Sequence, residues 1–523
     1  QNNKLFNWAN HPAEKATLAL IALIGLWNLF LAGRVNLSVD EAHYALYGAN
    51  LALSYFDHPP LVGWLNAVAL LFTSSDFGLR VIPTLLFALS NWLLYKIATR
   101  LYSDFSWVGF WSVLLINSAV MFQLLSSAML PDSPIMVASL FIVWTLLNLR
   151  ESKNQTSNSL KLWLQIGFWL GIAALAKYTA ITLVVSLLLI LIIEKRWYWL
   201  KDKGLWLAVL LTSIMIMPIL IWNQQHDWIS ILYQLHHGTH NDNWDWTRVL
   251  TTQLAQFAVY SPLLYLVGIS MMLLPFWKKT HSTAAQSANQ LLAVFALPTI
   301  VLFAIGSGYE MSLPHWTQLA WLIISPAVVY AIWKNWQKKW VRVSVIINSL
   351  LVGLLSFVLN SQLATPWIPF AKNQNIVQEL HGWPEAVATA QKIQTQNPDS
   401  LLFAANWTQA SRIAWYAYPQ AVFVTDNRFD QFDMWFGNPP KGSSGIVIVP
   451  SYEKPPKGKP NTAGQFASCL LLETKTIKAH KIEIVSYHFY LCQDFTPPVF
   501  SGWVKKLPLE NFAINDIVKS QAN

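Results

Sequence analysis

The sequence predicts an α-helical polytopic membrane protein with about eleven transmembrane helices, followed by a soluble C-terminal α/β domain. Three observations carry this. Charged residues make up 12% and hydrophobic residues 54% of the chain, against about 25% charged in an average soluble domain. Apolar runs long enough to cross a bilayer recur along the first two thirds of the sequence. The loops between those runs alternate between basic and nearly cation-free. The 28 Trp and 17 Tyr suit the membrane–water interface, where an amphipathic ring is at home at both ends. A net charge of +9 invites a nucleic-acid reading, but the basic residues cluster beside apolar spans and form no single polar face. No nucleic-acid partner is expected.

The predicted spans are 16–33, 80–100, 106–125, 131–149, 161–176, 178–193, 204–222, 249–275, 289–306, 315–333 and 341–359. The first is too long for a signal-peptide core and reads as a retained helix. The run Leu61–Phe72 is too short to cross and reads as an interfacial or re-entrant helix. With the N-terminus in the cytoplasm, the inside loops carry Lys96 with Arg100, Arg150, Lys195 with Arg196, Lys278 with Lys279, and Lys334 through Arg342. The outside loops hold only Arg34, Arg80, Lys177 and Arg248. This asymmetry places the C-terminus outside. The division is therefore a membrane domain over residues 1–359 and an extracytoplasmic domain over 360–523.

In the second part, β-rich runs at Leu401–Ala405, Ala421–Thr425, Gly445–Pro450, Cys469–Thr474 and Lys481–Cys492 alternate with amphipathic stretches at Trp383–Ile393 and Ala410–Tyr416. That alternation predicts a small α/β domain. The two cysteines, Cys469 and Cys492, lie in neighbouring predicted strands. An oxidising compartment allows a disulfide there, and the sequence leaves the pairing open.

Most of the unexpected polar residues fall in the outside loops. After the first span the chain reads Asn36-Leu-Ser-Val-Asp-Glu-Ala-His-Tyr44. Ser38 and Glu41 have capping-box spacing, so a helix starts here and Glu41 has a structural role as a cap. Asp40 sits in the first turn of that helix, against the bilayer, where a carboxylate is costly unless partnered or used. The alternative is that it only complements the helix dipole. Tyr55-Phe-Asp-His-Pro-Pro60 follows, and its two prolines fix the backbone that presents Asp57 and His58. Asp132, in Leu130-Pro-Asp-Ser-Pro134, reads first as a helix cap. Lys177 divides two apolar helices at the outer face, either snorkelling or neutralising a phosphate. The loop 223–248 contains His226, His236, His237 and His240 with Asp227, Asp242 and Asp245. Its spacings match no strong metal signature, so a divalent metal held by Asp57 with His236 or His237 is carried as an alternative.

Asp40-Glu41, Tyr55-Phe-Asp-His-Pro-Pro60, Pro131-Asp-Ser-Pro134, Ala176-Lys-Tyr178 and Leu313-Pro-His-Trp316 occur in this order along the chain. Together they resemble the GT-C polyprenyl-phosphate-sugar glycosyltransferases, nearest the bacterial lipid A aminoarabinose transferase (ArnT-like) group, which is related to protein O-mannosyltransferases. The resemblance spans the membrane domain. It implies the GT-C fold and a catalytic carboxylate at Asp40. It also implies substrate-binding positions at His43 and Tyr44, with Tyr55, Asp57, His58 and Lys177 around the donor phosphate and Glu41 and Asp132 in support. Two departures stand out. Relatives often place Lys where this chain has His58, and a basic residue where it has Glu310, Met311 and Ser312.

The function so implied is inverting transfer of a sugar from an undecaprenyl-type phosphate to lipid A or another envelope glycolipid. The reaction would take place on the periplasmic side of a bacterial inner membrane. A protein acceptor is the rival within the class. A lipid or solute transporter is the rival outside it, but that reading expects ionisable residues near the midplane of repeated halves, and the sequence has no repeat.

Overall fold

A computed structural model of the chain describes residues 11–152, 156–237, 243–277, 283–453, 465–498 and 500. Helix α1 (Pro12–Ala32) leads into the short α2 (Val39–Ala49), α3 (Leu61–Leu70) and α4 (Asp76–Leu79). The bundle follows: α5 (Val81–Leu101), α6 (Val108–Ser118), α7 (Val120–Leu125), α8 (Asp132–Glu151), α9 (Thr156–Ala176), α10 (Ile181–Ile193), α11 (Lys203–Met215) and α12 (Met217–Gln225). Next come α13 (Ile229–His237), α14 (Trp246–Val259), α15 (Pro262–Leu273), α16 (Thr283–Gly306), α17 (Gln318–Lys334) and α18 (Lys339–Ala364).

Every predicted span is helical, though several are broken or shorter than one continuous crossing helix. Among the described residues eight helices are long and apolar enough to cross a membrane, or nine if α14 with α15 counts as one span. That pair bends by 117°, where Tyr260 ends one helix and Ser261, at φ 73°, caps the next. The predicted span 106–125 breaks at extended Ala119 between α6 and α7. The predicted span 178–193 is a 3₁₀ turn and the 13-residue α10, short of the roughly 30 Å hydrocarbon core at 1.5 Å per residue. The predicted non-spanning run is α3, with ten residues. Residues just past its end, Leu71 and Phe72, are exposed, as suits an element lying in lipid.

The C-terminal domain holds α19 (Trp383–Gln396), β1 (Ser400–Ala404), α20 (Trp407–Ala417), β2 (Val422–Val424), α21 (Gln431–Phe436), β3 (Ser444–Pro450), β4 (Phe466–Ala479) and β5 (Ile482–Phe495). All five predicted strands are present. They form one mixed sheet in the order β2-β1-β3-β5-β4. The β2-β1-β3 part is parallel, and β5 and β4 add antiparallel. Cys469 lies opposite Cys492 in the β4–β5 ladder, and the two are joined in a disulfide.

The fold has two large cores. One is the helical bundle, built on α5, α6, α8, α16 and α17. The other is continuous from α2 and α3 into the C-terminal sheet and its helices. Helices α2 and α3 therefore share their interior with the C-terminal domain. Glycines permit two close approaches there. A Cβ on Gly48 would lie 2.7 Å from Asn66 of α3, and one on Gly63 would lie 2.6 Å from the Tyr55 hydroxyl. This arrangement holds α2, and with it Asp40, between bundle and sheet.

Candidate active site

Helix α2 is anchored at its first turn. The Ser38 backbone N–H and hydroxyl each donate to Glu41 Oε2 at 3.0 Å, and the Glu41 N–H donates back to Ser38 Oγ at 3.5 Å. The predicted capping box is present. The same carboxylate receives a two-pronged bond from Arg80, Nε to Oε1 at 2.7 Å and Nη2 to Oε2 at 2.8 Å. Arg80 also donates to the carbonyls of Ala32 and Val35 at 2.8 Å and of Asn36 at 3.0 Å. Burial opposes ionisation of Glu41, but Arg80 outweighs it and holds the carboxyl below its usual range. Arg80 read in the sequence only as an outside-loop cation. In the structure it pins the end of α1, the linker and α2 together.

Asp40, the neighbour of Glu41, is partly exposed. Its carboxyl is pushed up to about 6, first by burial and then by the charges of Asp57, Asp132 and Glu41, with Lys177 acting in the opposite direction. It is thus within electrostatic reach of the other predicted site residues.

The second cluster is closed by its own backbone, as two prolines in sequence require. Tyr55 N–H donates to His58 O at 3.1 Å and Ser54 Oγ to the same carbonyl at 3.4 Å. Tyr55 stacks on Tyr47 at 3.7 Å and donates to its carbonyl at 2.7 Å. Tyr47 donates its hydroxyl to Asp57 Oδ1, and Gln234 of α13 donates to Asp57 O at 2.5 Å. Burial acts against the Asp57 anion. His58, His43, the Tyr47 hydroxyl and Arg428 more than offset it, so its carboxyl stays below the usual range. The Tyr44 ring meets His58 edge-on at 5.4 Å.

Asp132 and Lys177 differ from the sequence expectation. The N-cap position of α8 is Pro131, and no side chain caps it. Both Asp132 carboxylate oxygens instead accept from Lys177 Nζ at 2.9 Å, with both side chains buried. Neither group bears isolation in a low-dielectric interior, so burial of one demands the other. For the same reason Lys177 does not snorkel.

Asp57, His58, Lys177, Tyr178, Tyr233, Gln234, Glu310, Ser312 and Trp316 line one cavity of about 250 Å³. Three of the predicted residues meet there. Tyr44 and Asp132 stand behind its wall, against His58 and Lys177, and Asp40 acts on them electrostatically. Tyr55 is committed to supporting Tyr47. His43 goes elsewhere: its Nδ1 lies 3.0 Å from Ser411 Oγ of α20, and its ring packs against Trp407, Phe432 and Trp435. Burial pushes His43 down to about 4, so it is a neutral contact to the soluble domain.

The histidine loop is dispersed. His226 stacks on Trp222 at 4.1 Å and bonds that residue's carbonyl at 2.7 Å. His236 is exposed on α13, with Nδ1 2.8 Å from Leu232 O. The His237 side chain, His240 and Asp242 lie outside the described residues. Among the described residues no three His, Cys, Asp or Glu groups converge as a metal site would need.

Sequence reasoning missed the part supplied by the soluble domain. Gln431 Oε1 accepts from the Phe56 N–H at 2.8 Å, and Phe429 packs on Phe56 at 5.9 Å. Immediately before Phe429 the chain carries Arg428, whose Nη2 donates to the hydroxyl of Tyr233, a residue lining the cavity, at 2.8 Å. Nothing local marks Arg428, which lies 195 residues from its partner.

Comparison with known proteins yields a consistent set. The family described as dolichyl-phosphate-mannose-protein mannosyltransferase matches residues 57–222. The chain is 23% identical over 371 residues to the lipid A galacturonosyltransferase RgtD of Rhizobium johnstonii, covering 68% of this chain and 73% of that protein. Its fold is similar to that of ArnT from Cupriavidus metallidurans. The TM-score is 0.59 to the form bound to undecaprenyl phosphate and 0.58 to the apo form, each at 13% identity over 90% of this chain and 97% of the other.

Proposed function

We propose that this chain is a GT-C glycosyltransferase of the ArnT-like group, related to the protein O-mannosyltransferases, and moves a sugar from a polyprenyl phosphate to a lipid A-like envelope acceptor. Its partial match to the mannosyltransferase family, its similarity to RgtD and its ArnT-like fold support this. The observation that carries this reading is a cavity lined by Lys177 and His58, with Arg428 bonded to Tyr233 of its wall and Asp40 within electrostatic reach of Lys177, Asp57 and Asp132.

In this reading Asp40 takes the proton of the acceptor hydroxyl as its oxygen attacks the anomeric carbon. The bond from that carbon to the phosphate oxygen breaks on the opposite face, so the configuration inverts. Polyprenyl phosphate leaves as a dianion. Lys177, held by Asp132, together with His58 and Arg428, stabilises that charge as it develops. Asp57 and Tyr44 orient His58. RgtD is named for lipid A and supports a lipid acceptor, whereas the matching family is named for protein and keeps a protein acceptor as the second reading.

The site belongs, in this proposal, to the periplasmic side of a bacterial inner membrane, as the basic-loop asymmetry implies. A reporter active only outside the cytoplasm, fused after Thr365, is expected to be active, and one fused between α15 and α16 is expected to be silent. Equal behaviour of the two fusions overturns this sidedness.

His58 gives a sharper test. If it binds the donor phosphate as a cation, transfer declines on the alkaline side as the imidazole loses its proton. His58→Lys should then flatten that limb and retain transfer, with no effect of chelator. If Asp57 and His58 instead hold a metal with a histidine of α13, chelator abolishes transfer, because the ligands need the metal to act. A chelator-insensitive profile unchanged in His58→Lys leaves His58 a packing residue beside Pro59.

A further inference from the structure

At the opposite end of the bundle a second cavity, of about 280 Å³, opens among the ends of α5, α8, α10 and α16. Helix α8 connects the two sites directly, with Asp132 at its first residue and Arg150 near its last. Its 20 residues separate them by roughly 30 Å at 1.5 Å per residue. The charged groups on this cavity are Arg100, Arg150 and Arg196 with Glu151 and Glu194.

These groups do not cancel. Glu194 is shared by two guanidinium groups: Arg150 Nε donates to its Oε2 at 3.1 Å, and Arg196 Nε donates to the same oxygen at 2.6 Å. Arg100 is 92% buried, its side chain 8% exposed, and lies over the Trp144 ring at 4.7 Å. Its Nη1 donates to Asn148 at 2.7 Å. Its Nη2 sits 2.9 Å from the half-exposed Glu151 carboxylate, at an angle that makes an ion pair without a hydrogen bond. Its Nε is buried with no hydrogen-bond partner among the described residues. A buried N–H left unmade at a charged group is costly, and here it borders a cavity.

We propose that this cavity is a binding site for a phosphate ester, the three guanidinium groups gripping its oxygens and Arg100 Nε gaining the partner it lacks. Arginine suits this task, because its planar fork matches phosphate oxygens two at a time and an ammonium cannot. Basic pockets between transmembrane helices near the membrane surface take anionic headgroups by this chemistry. The volume accepts a headgroup. The ligand is a lipid headgroup or a soluble phosphate. It is distinct from the sugar donor, which belongs to the other end of the bundle.

The purified full chain is tested in detergent with phosphatidylglycerol, with phosphatidylcholine and with inorganic phosphate, by native mass spectrometry and by thermal unfolding. Retention of phosphatidylglycerol over phosphatidylcholine, with little response to inorganic phosphate, supports the site with a lipid source. Stabilisation by inorganic phosphate alone supports it with a soluble source. In either case Arg100→Gln is expected to weaken binding roughly tenfold or more, the scale of one lost charge-assisted bond. Arg100→Lys should recover only part of it. Should Arg100→Gln fail to fold, Arg196→Gln at the rim serves in its place. No preference and no stabilisation in the wild type overturns the proposal. So does a preference that survives both Arg100→Gln and Arg196→Gln.

Discussion

Replacing Asp40 with Asn is expected to leave the protein folded and inserted and to lower the transfer rate by roughly 10²-fold or more, the scale of a lost general base. The substitution is nearly isosteric, and Asp40 makes none of the bonds that anchor α2. Those belong to Ser38, Glu41 and Arg80. The pH profile provides an independent check. A base must be ionised to accept a proton, and burial raises the Asp40 carboxyl to about 6. Wild-type transfer should therefore fall as pH drops through about 6, and the residual activity of Asp40→Asn should lack that limb. Wild-type-like turnover in the variant reduces Asp40 to a dipole partner of α2.

Lys177→Met is expected to destabilise the protein by about 3–5 kcal/mol, because it leaves the buried Asp132 carboxylate uncompensated. Thermal unfolding should show a large drop in Tm. The double variant Lys177→Met with Asp132→Leu should recover most of that loss, since removing both charges also removes the need for pairing. Activity separates structure from chemistry. If Lys177 only neutralises Asp132, the double variant recovers transfer along with stability. If Lys177 also stabilises the leaving phosphate, stability returns and transfer does not, which is the outcome expected here. A single variant as stable as wild type shows that the pair is not needed.

What was legible in the sequence was local. Ser38 and Glu41 announce the start of α2 because a capping box closes within one turn, and Pro59-Pro60 announces a fixed turn after His58 for the same reason. The strands of the C-terminal domain were readable from β-branched runs between turn residues. The continuity of the spans was less so, because hydropathy scores composition and registers neither the bend at Tyr260–Ser261 nor the break at Ala119. Pairings between distant elements were not legible. Asp132 has every local mark of a cap, and its true partner lies 45 residues away, at the break that follows α9. His43 carries no sign that α20 will cover it, and Arg428 none that a loop of the soluble domain will bring it to Tyr233. Arg80 appeared as one cation among the outside loops. Its role emerges only when the carbonyls of Ala32, Val35 and Asn36 turn toward it.

The measurement that tests the central claim most directly is mass spectrometry of lipid A and envelope glycoproteins from three strains. One carries the intact gene, one a deletion, and one the Asp40→Asn variant at matched protein level. The account predicts a sugar mass increment on lipid A in the first strain and its loss from the other two, with the glycoproteins unchanged. A lipid A profile identical in all three, or an increment that persists with Asp40→Asn, contradicts it.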